Sequence, residues 1–168
     1  MKKKIISITG YVFILFLLCF FQSCASKKIV AEKIDLYGLV VDENNKPVKD
    51  FIIRCKKVSD KNEKEFSTMT GMNGVFMLND LRAGEYLVYG EKNGYAILAE
   101  SEQKLFEPQK MICFQVSSID NVLNNVEKQF LLGNIQHALE LLDEVKVSGE
   151  SYEEYVVQNY KSILMERL

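Results

Sequence analysis

Near Ser117 the apolar residues change period from two to the three-and-four spacing of a helix. That switch limits the 168-residue chain to a strand-rich segment followed by a helical one. From Ile34 onward, short apolar runs alternate with polar residues and are bounded by Gly, Asn, Asp or Pro, as half-buried strands are. The spacing predicts strands near residues 35–42, 50–58, 64–70, 74–79, 85–91, 95–100 and 109–116. Seven short strands with no helix between them fit a seven-stranded antiparallel β-sandwich. Pro47 belongs in the first connection, Asp42 to Lys49, where its fixed φ suits a turn and its missing N–H harms no ladder. Asn73-Gly74 and Asn93-Gly94 mark two further turns. Val40, Ile53, Phe76, Leu78, Tyr86 and Val88 take the inward phase, and Phe51 and Cys55 share it with Ile53.

Beyond Ser117, the residues Ile119, Val122, Leu123, Val126 and Phe130 form one stripe of a helix that ends at Gly133. A second helix carries Ile135, Ala138, Leu139, Leu142 and Val145 and stops between Lys146 and Gly149. A third starts at Ser151, with Glu154 placed to close a capping box, and presents Tyr152, Tyr155, Val156, Ile163 and Leu164. The fold class is therefore mainly β plus α, a sandwich over 34–117 and a three-helix module over 118–168.

Within the strand-rich part, Gly38-Leu39-Val40-Val41-Asp42 resembles a G-x-V-x-D opening, and Lys46-Pro47-Val48 the turn that follows it. Thr70-Gly71-Met72-Asn73-Gly74-Val75-Phe76 resembles T-D-x-x-G-x-F, with Gly71 where Asp is usual. Leu81, Gly84, Tyr86, Gly94 and Tyr95 resemble an L-x-x-G-x-Y stretch ending in G-Y. In that order and spacing these pieces resemble the carboxypeptidase regulatory-like domain, a transthyretin-like sandwich found as an accessory module in bacterial envelope proteins. The resemblance covers about half of the chain and implies a scaffold with no active site. Gly133 to Leu142 is similar to the middle of one tetratricopeptide repeat, although Asn125 and Gln129 stand where that family has apolar residues. Arrays of such repeats need about three copies to be stable. One copy with a covering helix must lean on the sandwich, on another copy or on a partner.

The N-terminal segment is an address. Lys2, Lys3 and Lys4 precede seventeen uncharged, mostly apolar residues from Ile5 to Phe21, the outline of a bacterial export signal. Phe21-Gln22-Ser23-Cys24 resembles a relaxed lipobox, which implies a signal peptide over 1–23, lipidation of Cys24 and a tether over 24–33. An ordinary signal cleaved after Ala25 and an uncleaved anchor are the alternatives. For the anchor, seventeen residues at about 1.5 Å each fall a little short of a roughly 30 Å hydrocarbon core. Ala25 is not the Asp that resembles an inner-membrane retention signal, and Ser26, Lys27 and Lys28 lack an acidic surface-export cluster. The expected location is the periplasmic face of the outer membrane.

Chemistry is sparse along the rest of the chain. A net charge of -2, becoming 18 basic against 23 acidic groups once Lys2, Lys3 and Lys4 are removed, offers no phosphate-neutralising surface, so no nucleic-acid partner is expected. The single histidine, His137, has no Cys or acidic residue at metal-ligand spacing and reads as a solvated helix residue. Lys61 and Lys64 interrupt the acidic stretch from Asp60 to Glu65, which lacks the glycine and spacing of a calcium loop. The neighbouring pairs Asp143-Glu144 and Glu153-Glu154 diverge around their helices. Cys55 and Cys113 fall on opposite phases, which argues against a disulfide between them. No enzyme, metal or cofactor is expected. The expected role is an adaptor for an envelope protein partner, bound through Leu139, Leu142, Tyr152 and Tyr155. A glycan- or peptidoglycan-binding module is the alternative, resting on family habit and on Tyr89, Tyr95, Tyr152 and Tyr155, most of which read as core.

Overall fold

The computed structural model describes residues 33–59, 65–149 and 151–168. Seven strands build two sheets: β1 (Ile34–Val41), β2 (Ile52–Lys57), β3 (Phe66–Met69), β4 (Val75–Leu81), β5 (Gly84–Glu91), β6 (Leu98–Leu105) and β7 (Gln109–Gln115). The first sheet runs β4-β1-β7 and the second β3-β2-β5-β6. Three helices follow, α1 (Ile119–Leu131), α2 (Ile135–Glu144) and α3 (Tyr152–Met165). A seven-stranded sandwich followed by a helical module is thus the architecture.

One ladder departs from the all-antiparallel expectation. The chain leaves β6 at the edge of the second sheet, crosses to the first and lays β7 beside β1 in parallel, with Leu39 opposite Cys113. The Asp35 amide donates to the Pro108 carbonyl at 3.0 Å where β7 begins. The sixth strand also differs from its predicted span of 95–100. After the Asn93-Gly94 turn, Tyr95 makes an isolated bridge to Ser118, and the ladder to β5 starts only at Leu98.

Between the sheets lies a core of Ile34, Leu36, Val40, Ile53, Phe76, Leu78, Tyr86, Val88 and their neighbours, including all six residues assigned to the inward phase. Its packing explains the opening motif. A Cβ at Gly38 would overlap the Phe76 ring, which lies against β1 and stacks on Phe114 at 6.4 Å. Gly74 takes φ +72 in the turn before β4, a conformation that L side chains rarely adopt. Thr70 is buried among apolar side chains, and its hydroxyl is fully used: it accepts from the Phe51 amide at 2.9 Å and donates to the Val48 carbonyl at 2.6 Å. Tyr86 is also buried, with its hydroxyl donating to the Arg82 carbonyl at 2.8 Å across the β4–β5 corner.

The helices have their own core, Val126, Ala138, Leu139, Leu142, Val157 and Leu164, distinct from that of the sandwich. Ala138 is fully buried, as a small residue at the approach of two helices must be. Gln129 explains one departure from the repeat pattern: its side-chain oxygen accepts from Asn134 at 2.9 Å, tying the end of α1 to the turn that starts α2. Polar bonds join the module to the sandwich. The Glu43 carboxylate accepts from the Ser118 amide and hydroxyl at 3.0 and 2.8 Å, Glu91 accepts from the Ser148 hydroxyl at 2.6 Å, and Glu153 accepts from the Gly94 amide at 2.7 Å.

Candidate docking surface on the helical module

The third helix is phased differently from its sequence reading. Val157 and Leu164 are its buried residues, whereas Tyr152, Tyr155 and Ile163 point outward. Two bonds accompany this rotation: the Tyr160 hydroxyl donates to Glu127 of α1 at 2.6 Å, and Lys161 pairs with Asp143 of α2 at 2.7 Å. The hydrogen bond to Glu127 is the chief cause that raises the Tyr160 hydroxyl above its ordinary pKa, with burial adding to it.

The four residues expected to bind a partner therefore divide. Leu139 and Leu142 pack inside the helical core and present nothing to a partner, a correction that follows from α2 turning this face to α1 and α3. Tyr152 and Tyr155 are exposed. Reading most of the four tyrosines as core is also corrected, since Tyr89 and Tyr95 are only partly buried. Tyr95 packs edge-on against Phe51 at 6.5 Å, and the Tyr89 hydroxyl bonds to Glu65. That bond, with burial behind it, pushes the Tyr89 pKa up to about 12.

The outward turn of Ile163 creates a feature that the sequence reading missed. An apolar groove of about 250 Å³ opens between α1 and α3, walled by Val126, Phe130, Tyr160, Ile163 and Leu164, with Glu127 as its polar edge. Leu131 lies beside Phe130 in the chain and is 82% exposed. A groove of this size accepts one or two apolar side chains, and nothing in it is nucleophilic. The available signal was Phe130-Leu131-Leu132, three large apolar residues in a row where an amphipathic helix buries at most two. A second recess, of about 370 Å³, lies where α1 and α2 meet the strand side. Asn125 helps to line it, the other departure from the repeat pattern.

The remaining residues considered for chemistry stand apart. His137 is exposed, with Nδ1 3.4 Å from Glu140 one helical turn on. Among the described residues no group of three His, Cys, Asp or Glu side chains could hold a metal ion, and no helix is long and apolar enough to cross a membrane. Cys55 faces the core, where burial pushes its thiol up to about 12, while Cys113 is exposed on the opposite phase. Cys24 and most of the acidic stretch from Asp60 lie outside the described residues; Glu65 pairs with Arg54 at 3.4 Å.

No protein-family model matches the chain, and no curated protein matches it. Among solved structures, it is similar to the major pilin subunit BcpA of Bacillus cereus at 17% identity and a TM-score of 0.43, over 49% of this chain and 29% of the pilin. It is similar to GBS52, the minor pilin of Streptococcus agalactiae, at 14% identity and a TM-score of 0.44, over 53% of this chain and 46% of that one. The 3-chlorocatechol 1,2-dioxygenase of Rhodococcus opacus 1CP matches at 12% identity and a TM-score of 0.44, over 52% of this chain and 60% of the enzyme. Pilins and a dioxygenase share the likeness, so it distinguishes no activity.

Proposed function

We propose that this chain is a non-enzymatic envelope lipoprotein, held by lipid on Cys24 at the periplasmic face of the outer membrane. A transthyretin-like sandwich carries a helical adaptor that binds an envelope protein. The groove between α1 and α3 carries this reading, because Phe130 and Ile163 stand exposed along a floor formed by the core residues Val126 and Leu164. A groove between two helices suits an amphipathic partner helix that inserts one or two apolar anchors. The order and spacing of the turn motifs support the sandwich type, and the relaxed lipobox at Ser23-Cys24 supports the anchor.

The test is a photo-cross-linking residue in place of Leu131 in the full lipoprotein in intact cells, with and without Ile163→Asp. Ile163 is 56% exposed, so the charge reaches the groove wall while the core stays intact. A discrete protein adduct that falls at least about tenfold with Ile163→Asp is expected, the loss that follows from about 1.4 kcal/mol of lost anchor contact. An adduct insensitive to Ile163→Asp removes the groove from the reading.

A further inference from the structure

The outer faces of the two sheets differ in a way the adaptor role does not use. On the second sheet ion pairs run through the outward side chains, among apolar ones such as Met69, Ile52 and Leu87: Arg54 meets Glu91 at 2.7 Å and Glu65 at 3.4 Å, and Lys104 meets Glu85 at 3.4 Å. On the first sheet, register places Met77, Tyr37 and Met111 in one outward row and Val75, Leu39 and Cys113 in the next. Neither row holds a charge. Met111 is 82% exposed, and Met77, Val75 and Cys113 are exposed beside it. An antiparallel or mixed sheet with one free face ordinarily carries polar residues there. These two adjacent uncharged rows fit an apolar contact, and the charges of Asp35 and of the Lys33–Asp80 pair are confined to the end of the sheet where the chain enters it.

We propose that this face of the β4-β1-β7 sheet docks on the lipid bilayer that carries the anchor. The inference rests on the lipidation of Cys24. Where the chain enters the sheet selects this occupant: the ten residues from Cys24 to Lys33 lead directly into Ile34, the first residue of the central strand, and span at most about 35 Å. That leash keeps the sandwich within one molecular diameter of the membrane. β1 itself is 8 residues long, about 27 Å, so the leash is also long enough for the sheet to lie face down. Met, Val, Leu and Tyr side chains then enter the headgroup and acyl boundary, as the apolar face of a monotopic element does, and add a second membrane contact to the lipid. Because the contact is apolar, it withstands salt. The charged second sheet is left facing the aqueous side.

Cys113 reports directly on this contact, since it lies in the second row and the other described thiol, Cys55, is buried. The full lipoprotein is reconstituted in vesicles of phosphatidylethanolamine with a minor fraction of phosphatidylglycerol, and maleimide labelling of Cys113 is timed against the same protein in detergent-free fragments released by cleavage within the tether. A face docked nine-tenths of the time slows labelling about tenfold, because only the undocked fraction reacts. The slowing is expected to persist in high salt and to vanish in the double variant Met77→Glu, Met111→Glu, whose residues are exposed and leave the fold intact. Equal labelling of anchored and released protein overturns the proposal. So does protection that depends on protein density in the vesicle and is accompanied by Cys113–Cys113 cross-links, which makes a second copy the occupant. Intact mass reads the anchor separately: an unlipidated Cys24 overturns the lipoprotein reading, while the Cys113 rate on added vesicles still decides the docking face.

Discussion

Thr70 shows how a single side chain can hold two strands and a turn. Its hydroxyl accepts from the Phe51 amide and donates to the Val48 carbonyl inside the core, while its own amide donates to the Phe51 carbonyl at 3.0 Å. Replacing it with the nearly isosteric Val keeps the volume and leaves a buried donor and a buried acceptor without partners. Each orphan costs about 1–3 kcal/mol, so Thr70→Val is expected to destabilise the fold by about 2–6 kcal/mol. Ser, which keeps the hydroxyl, should restore most of this despite the lost methyl. Urea unfolding of the three proteins checks it, and a Val variant as stable as the parent would show that water or a shifted backbone satisfies Phe51 and Val48. The same residue explains why a Thr stands before this turn, whereas Gly71 beside it contributes no side chain to the turn. The Asn73 side chain accepts from the Val75 amide at 3.2 Å and organises the turn from within.

At the level of elements, two serines begin helices with unequal duties. Ser151 caps α3 by accepting from the Glu154 amide at 3.1 Å. Ser118 caps α1 by accepting from the Asn121 amide at 3.3 Å, and its hydroxyl and amide are also held by Glu43 from the loop after β1. Loss of a cap costs about 1 kcal/mol. Ser151→Ala is expected to cost about that, and Ser118→Ala measurably more, because it also takes one donor from Glu43. Paired denaturant midpoints decide the order, and equal losses would reduce Ser118 to an ordinary cap. How much of these elements could be read from sequence varied with how local their causes are. Val40, Ile53, Phe76 and Tyr86 announce themselves because period-two alternation is a property of the strand alone. β6 was misplaced because Glu100, Glu102 and Lys104 give an edge strand a polar look that hides its pairing with β5. The parallel β1–β7 ladder is a matter of which sheet β7 joins, and no local pattern carries that. The rotation of α3 is equally invisible: adjacent Val156 and Val157 support either phase, and packing of Val157 and Leu164 against residues of the other two helices is what distinguishes them. The groove between α1 and α3 exists only because of that choice.

For the molecule as a whole, the joint between the two separate apolar cores is rich in polar bonds. Three backbone bonds cross it, from Ala96 to Ser117, Ile97 to Lys146 and Ile119 to Gly94, and the carboxylates of Glu43, Glu91 and Glu153 add side-chain bonds to them. Two of these carboxylates lie below the ordinary carboxylate range. For Glu43, burial pushes the pKa up but is outweighed by hydrogen bonds from its own amide and from the Ser118 amide and hydroxyl. For Glu91, the Ser148 hydroxyl is the main cause and the Arg54 guanidinium the next. A carboxylate whose folded pKa is depressed stabilises the fold above its unfolded value, here 4.5, and that contribution disappears as pH falls through the lower folded value. The joint should therefore weaken as the pH falls below 4.5, before the sandwich core, whose interior holds no carboxylate among the described residues. Hydrogen-exchange protection factors, which remove the intrinsic pH dependence of exchange, are expected to fall first at the Ala96, Ile97 and Ile119 amides. The amides of β2 and β5 should keep theirs over the same interval. In Glu43→Gln, Glu91→Gln the joint amides should be less protected at neutral pH and nearly insensitive to acid. A parallel loss at all amides would mean that the helices and the sandwich unfold as one unit, with the carboxylates contributing to global stability rather than to the joint.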